Sequence, residues 1–286
     1  QERSAADGRP RCAAASRTDL SGTHQRTRWV RSGPGAGAVN MAIDESLLET
    51  VRDGGGPILR TYGWSPPTLS IGYGQDLAGI NLDRCRERGI GIVRRPTGGR
   101  AVLHWEELTY CYLSLPPDGD DSIQQTYLAI GRCLQRGLQL FGVDVELSRG
   151  KVGNGHRAAC FASTSRSEIT IDGRKLVGSA QRRIRGALLQ HGSLLVGSAH
   201  QALADLVEGE SVESIRTSAI HLQEVCPTVD MEVLDECVAK GFAQELDAEL
   251  DPTDLSNHES IRALELERSK YGTQEHLQRR QHAIPA

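Results

Sequence analysis

Three polar segments interrupt β-type runs in this 286-residue chain, and each carries groups that could do chemistry. The first, RRPTGGRAVLH, runs from Arg94 to His104. After Thr97, Gly98 and Gly99 lack Cβ atoms, so the backbone can turn sharply there and lie against a ligand. Arg94, Arg95 and Arg100 supply permanent positive charge suited to a phosphate. A tight turn with solvated arginines explains the segment equally well, because Gly-Gly turns are common. The second segment, GKVGNGHRAACFASTSRSEI, sets Cys160 in a glycine- and serine-rich run, where exposed reactive groups tend to be placed. A lone cysteine is more often a small buried hydrophobe. In the third, DGRKLVGSAQRR, Lys175 opens a β-run directly after an Asp-Gly turn, and Gly178, Ser179 and Ala180 leave room beside it. Exposure at a hairpin is the usual fate of a lysine. An ammonium near a thiol, however, lowers the thiol pKa from ~8.5 toward neutrality. The pairing of Cys160 with Lys175 is therefore the sharpest chemical reading, and spacing alone does not prove it. His104 and His191, the latter followed by Gly192, end strands near these segments, so a Cys–His hydrolase is conceivable. Histidines hydrogen-bonded within a sheet or shaping a pocket wall are the better expectation.

Composition narrows the setting. Only four of the 33 basic residues are lysines (positions 151, 175, 240 and 270), so one inside a glycine-bounded motif stands out. The seven cysteines include no C-x-x-C pair, which predicts reduced thiols in a cytoplasm and no structural zinc. Six of them fall in helices, strands or the N-terminal tail, leaving Cys160 apart. With 38% hydrophobic residues the chain can close its own core, and no run approaches the ~20 apolar residues of a membrane span. The Arg-rich start has no apolar h-region, so a secretory signal is not expected. Net charge is +4 over residues 1–31, +3 over 32–198 and −11 over 199–286. Residues 1–28 read as a disordered Arg-rich tail, not a nucleic-acid arm, because the domain as a whole is not basic.

The elements that must position these groups follow from periodicity. AVNMAIDESLLETVRDGG reads as a helix with a glycine stop, and PILRTYGW and PTLSIGYG as short strands. INLDRCRERG is a short helix, GIVRRPTGG a strand entering a turn, and AVLH and ELTYCYLSLP are strands. SIQQTYLAIGRCLQRGLQLFGV is a long amphipathic helix with Ile123, Leu128, Ile130, Leu134 and Leu138 near one stripe. SRSEITIDGRKLVGSAQRRIRGALLQHGSLLV predicts three strands turning at Asp172-Gly173 and near Arg185-Gly186. Everything after residue 199 reads as helical. The expectation is an α+β fold, a mixed, largely antiparallel sheet flanked by helices, with a catalytic domain over 29–250 and a helical C-terminal segment over 251–286.

RRPTGGRAVLHWEELTYCYLSLP, ACFASTSRSEITIDGRKLVGSAQRR and ALLQHGSLLV, in that order, resemble the biotin/lipoate protein ligase superfamily. NMAIDESLLE and PILRTYGWSPPTLSIGYGQ resemble its opening helix and strands, so the likeness spans roughly residues 36–200, with a weaker echo at ERSKYG. Within it, Cys-Phe followed by GRKLVGSAQ is similar to the cysteine-dependent octanoyltransferases of the LipM type. Trp105, where aspartate is usual, and Ser167, where tyrosine is common, depart from the pattern. The resemblance implies octanoyl transfer from octanoyl-acyl carrier protein to a lysine of a lipoyl-accepting protein (glycine cleavage H protein or a 2-oxoacid dehydrogenase lipoyl domain). It assigns the acyl-enzyme to Cys160 and proton relay to Lys175, with no cofactor. Arg94, Arg95 and Arg100 are the candidates to meet the phosphopantetheine phosphate, and backbone N–H groups at Gly98, Gly99 or Gly178–Ala180 to hold an oxyanion. A monomer is expected, with no nucleic-acid or membrane partner. The alternatives are an ATP-dependent lipoate–protein ligase, a lipoyl-protein amidotransferase and a non-catalytic acyl-binding protein.

Overall fold

The computed structural model describes residues 25–116, 123–148 and 168–279. In chain order the elements are β1 (Gln25–Gly35), α1 (Gly37–Arg52), β2 (Ile58–Trp64), β3 (Thr68–Ile71), α2 (Leu82–Glu87), β4 (Gly91–Arg94), β5 (Val102–His104) and β6 (Glu107–Ser114). There follow α3 (Ile123–Phe141), β7 (Glu146–Leu147), β8 (Ile169–Ile171), β9 (Arg174–Ile184), β10 (Ala187–Leu195), α4 (Val212–Ser218), α5 (Met231–Glu245), β11 (Ala248–Pro252), α6 (Asn257–Leu266) and α7 (Gln274–Gln278).

The large sheet has the order β11-β1-β2-β6-β10-β9-β8-β7, and a small one the order β4-β3-β5. β11, β1 and β2 run parallel, and the pairs from β2 through β7 are antiparallel. The expected mixed, largely antiparallel α+β architecture is therefore present. Both hairpin turns also form as expected, with φ positive at Asp172 and Gly173 and at Arg185 and Gly186, as two-residue turns between twisted strands require.

Two expectations are corrected. The stretch after residue 199 is not wholly helical, because AELDP forms β11 and lies parallel to the start of β1, Gln25 opposite Ala248 through Trp29 opposite Pro252. Gln25–Arg28, inside the span read as a tail, belong to β1, where Arg28 pairs with Ile58 on β2 and its guanidinium grips Glu259. Neither strand carries a local signal. Each is short or arginine-rich and is stabilised by a partner more than 200 residues away.

One face of the large sheet packs on α3 and α5, with Leu134, Leu138, Val238 and Phe242 in the core between them. These helices cross at glycines, where a Cβ on Gly241 would lie 2.3 Å from the Cys133 carbonyl oxygen. Ile123, expected on the α3 stripe, is exposed in the first turn. The other face packs on α1, whose Met41, Ile43, Leu47, Leu48 and Val51 are buried as the periodicity predicts. Cys85, Cys111, Cys133 and Cys237 are buried free thiols and Cys226 is partly buried. Among the described residues no helix is long and apolar enough to cross a membrane.

Arg28 and Glu259 close this frame by tying the first strand to α6 through Nη1–Oε1 and Nη2–Oε2 contacts of 2.7 and 3.0 Å. Burial alone would push the Glu259 carboxyl up. The Arg28 fork and the Ser256 main-chain N–H outweigh it and hold the group at about 2. Because the folded value lies below the unfolded one, the pair's stabilisation is complete above pH ~4.5 and disappears as pH falls toward 2. Urea unfolding of wild type and Glu259→Gln should differ by on the order of 3 kcal/mol at pH 7 and converge at low pH. A gap unchanged from pH 7 to pH 3 would contradict this assignment.

Candidate active site

Four neighbouring strands of the large sheet set out the site in rows. Arg60 on β2, Cys111 on β6, His191 on β10 and Ala180 on β9 are successive cross-strand partners. Two residues along, and so on the same face, Tyr62, Thr109, Ser193 and Gly178 form the next row. Above them lies a cleft with mostly apolar lining. Met41, Tyr62, Trp64 and Val102 supply apolar walls, while Gly178, Ser179, Ala180 and Gly192 offer a nearly bare backbone. Gly192 is required by crowding, since a Cβ there would stand 2.6 Å from Tyr110 Cε1 and 2.8 Å from the Gly178 carbonyl oxygen. Ser179 is held from below, its hydroxyl 2.8 Å from the Tyr110 hydroxyl and its carbonyl accepting from the Tyr127 hydroxyl.

Arg95 organises the polar wall, and two relays of the same form leave it. Its Nε donates to Thr97 Oγ1 at 3.2 Å, Thr97 lies 2.7 Å from His191 Nε2, and His191 Nδ1 lies 3.3 Å from Asp44 Oδ2. Its Nη1 donates to Ser70 Oγ at 3.0 Å, Ser70 lies 2.8 Å from His104 Nε2, and His104 Nδ1 lies 2.8 Å from Glu107 Oε1. Each histidine thus bridges a hydroxyl at Nε2 and a carboxylate at Nδ1. Burial lowers the His191 pKa, despite the counteracting pull of Asp44. Glu107 is completed by Thr109 and Ser193, and Trp64 stacks on His104 with centroids 3.9 Å apart. Both Nε2 atoms meet hydroxyls of the cleft wall, as the pocket-wall reading expects, and Cys160, the nucleophile of the Cys–His hydrolase reading, lies outside the described residues.

Of the residues singled out in the sequence, Arg95, His104, Gly178, Ser179, Ala180, His191 and Gly192 line the cleft. Arg94 does not. Its guanidinium is buried and donates to the carbonyls of Gly72, Gln75 and Leu277 at 2.7 Å each. Arg95 similarly grips the Gly98 and Arg100 carbonyls at 2.8 Å, so both arginines hold backbone and neither points a solvated charge at a phosphate. Gly98 and Gly99 are exposed, with φ +95° at Gly99. The turn lies so close to β3 that a Cβ on Gly72 would fall 1.9 Å from the Gly99 carbonyl oxygen. Arg100 is half-buried beside it.

Lys175 departs from the usual exposed hairpin lysine. It is 1% exposed, and its Nζ donates to Glu168 Oε1 at 2.6 Å, the carboxylate being 3% exposed. Lysines are buried so fully only with a partner. Lys175 stands three positions before Gly178, about 10 Å along β9, and does not itself line the cleft. Cys160 lies outside the described residues. Glu168, the partner of Lys175, is the first described residue after the segment that contains it.

Sequence reasoning missed Arg60, Asp44 and Glu107. Arg60 and Asp44 form a fully enclosed ion pair at 2.6 Å. Burial works against the Asp44 carboxylate, but Arg60 and His191 more than compensate and keep its pKa low. Donor atoms of Asp44, Cys111 and His191 all come within 4.8 Å of one another, a spacing that could suit a metal. The chemistry does not. Asp44 accepts from Arg60 and Tyr62, and burial pushes the Cys111 thiol well up, away from the thiolate a metal needs.

The sheet order, the flanking helices and the glycine-floored cleft define an enzyme of the lipoyl ligase type, and the model of the lipoyl protein ligase A/B catalytic domain matches residues 36–243. The chain belongs to that family. It is 39% identical over 260 residues to the octanoyltransferase LipM of Kyrpidia tusciae, a match covering 85% of this chain and 95% of that protein. It is 40% identical over 257 residues to the octanoyltransferase LipM of Moorella thermoacetica, covering 84% and 93%. Among solved structures it resembles lipoate-protein ligase A bound with ATP, with a TM-score of 0.77, 24% identity and coverage of 90% and 99%. It also resembles a chain from an archaeal lipoylation system of Thermoplasma acidophilum, with a TM-score of 0.73, 23% identity and coverage of 91% and 99%. At these identities the structural likenesses show a shared fold.

Replacing Asp44 by asparagine should strand the Arg60 charge in the core. Urea denaturation at pH 7 should show Asp44→Asn destabilised by about 3–5 kcal/mol. The double variant Arg60→Met/Asp44→Leu should recover much of that loss. A single-variant cost below ~1 kcal/mol would show that this pair is not what holds α1 on the sheet.

Proposed function

We propose that the protein is an octanoyltransferase of lipoate biosynthesis. It moves an octanoyl group from octanoyl-acyl carrier protein to a lysine of a lipoyl-accepting protein, such as the glycine cleavage H protein or a lipoyl domain, through a thioester on Cys160. The observation that carries this reading is the buried Lys175–Glu168 pair on the strand that also floors the apolar cleft with Gly178, Ser179 and Ala180. Glu168 is the first described residue after the segment that holds Cys160. Relatives named octanoyltransferase LipM, similar over most of their length, support the same activity. The lipoate ligase reading has the family model and the shared fold behind it, while the relatives matched over most of their length are named octanoyltransferase LipM.

In the first half-reaction the Cys160 thiolate attacks the thioester carbonyl of the donor. The carrier thiolate leaves, takes a proton, and the octanoyl group remains on Cys160. Exchange of one thioester for another is nearly balanced and needs no ATP. In the second half the acceptor lysine attacks the acyl-enzyme. An amide forms, the Cys160 sulfur departs, and one proton must be removed from the incoming amine, whose free pKa is about 10.4. Lys175 with Glu168 is the group proposed to pass these protons, because the pair can trade one proton without creating an unpaired buried charge. The Met41, Tyr62, Trp64 and Val102 walls exclude water from the acyl chain.

Octanoyl-acyl carrier protein should give a hydroxylamine-sensitive adduct, seen by intact mass and mapped to Cys160. The Cys160→Ala variant should form none and lose transfer on the order of 10³-fold or more. Unimpaired transfer by that variant, or an adduct at another residue, would contradict the mechanism.

A further inference from the structure

A second cavity adjoins the cleft. Two elements run through both. On β9, Gly178 and Ala180 line the cleft while Arg182 and Ile184, at the same two-residue spacing and about 7 Å apart, line the second cavity. On α1, Met41 faces the cleft, and Glu45, Leu48, Glu49 and Arg52 follow on one helical face into the second cavity. Arg182 stands at the junction. Its Nη1 donates to the Pro96 carbonyl at 2.8 Å and its guanidinium lies 3.7 Å over the Tyr73 ring.

The cavity is cationic in a protein of net charge −4. Arg52, Arg182, Arg185, Arg262 and Lys270 line it against only Glu45 and Glu49. Both acids are already engaged, Glu45 by Lys270 at 2.6 Å and Glu49 by Arg262 at 2.7 Å. Arg52 is paired outward with Asp53. Among the described residues no carboxylate lies within ion-pair distance of Arg182 or Arg185. Two guanidinium groups therefore face one cavity without counter-charge, one fixed by stacking and one at an exposed hairpin turn. Guanidinium forks match phosphate oxygens bidentately. Arg94 and Arg95, two of the three arginines the sequence offered for this role, are engaged by main-chain carbonyls.

We propose that this second cavity seats the phosphate of the donor's phosphopantetheine arm, held by Arg182 and Arg185, while the thioester end of the arm lies along β9 in the cleft. The proposal rests on the octanoyltransferase reading and adds to it the recognition of the donor's anionic linker. The arm enters over the Arg185-Gly186 turn, passes Arg182 and delivers its acyl group past Ala180 to Gly178, toward Lys175.

The test compares acylation rates of the intact enzyme at sub-saturating S-octanoyl-4′-phosphopantetheine and S-octanoyl-pantetheine, which differ only in the phosphate. Wild type should prefer the phosphorylated donor by about tenfold or more, and Arg185→Gln, on an exposed turn, should lose most of that preference. Equal rates with the two donors in wild type would overturn the phosphate seat and leave octanoyl transfer intact. Equal rates combined with slowed acylation of Arg185→Gln by octanoyl-acyl carrier protein would reassign the arginines to the carrier's acidic surface, also against the seat. No acylation by any octanoyl donor would overturn the octanoyltransferase reading itself.

Discussion

Arg60 and Asp44 meet at 2.6 Å with both side chains fully enclosed, and the catalytic half of the molecule is arranged around that contact. A guanidinium and a carboxylate taken from water carry a desolvation cost that their mutual attraction offsets only when the remaining hydrogen-bonding capacity is also filled. Here it is filled. Arg60 donates to Ser32 on β1 and to both the main-chain and side-chain oxygens of Asn40 on α1, and it lies 3.8 Å over the Tyr62 ring. Asp44 accepts from Tyr62 on β2 and faces His191 on β10. One ion pair thereby fixes α1 against three strands of the large sheet.

The same contact sets the chemistry of the cleft at one remove. Asp44 orients His191, His191 orients Thr97, and Thr97 shares Arg95 with the parallel relay through Ser70 and His104 to Glu107. Each histidine bridges a carboxylate and a hydroxyl, so the polar wall positions the RRPTGG turn. The buried Lys175–Glu168 pair, on the same strand as Gly178 and Ala180, is the group proposed for proton transfer.

What could be read in the sequence was whatever local spacing encodes. The hairpins at Asp172-Gly173 and Arg185-Gly186 are legible because only residues tolerant of positive φ complete such turns, and the α1 stripe is legible because 3.6-residue spacing suffices to place it. Half of the cleft lining was legible because glycines and histidines in β-runs are conspicuous. The buried arginines were not. Arg94 and Arg95 look like solvated charge until carbonyls from β3, the following turn and α7 converge on them. Asp44 did leave a trace, since it shares the apolar face of α1 with Met41, Leu47, Leu48 and Val51, where a carboxylate needs a partner. Arg60 left another, as a lone charge within ILRTYGW. β11 left none, because a five-residue strand with two acids and a proline is stabilised only by its parallel partner β1.

The central claim is transfer from a thioester donor without adenylation. The most direct measurement is octanoylation of a glycine cleavage H protein by the purified enzyme with octanoyl-acyl carrier protein in the absence of ATP, set beside free octanoate with ATP and Mg²⁺. The account predicts modified acceptor in the first reaction and none in the second. Modification only with free octanoate and ATP would contradict it and make the protein an adenylating ligase.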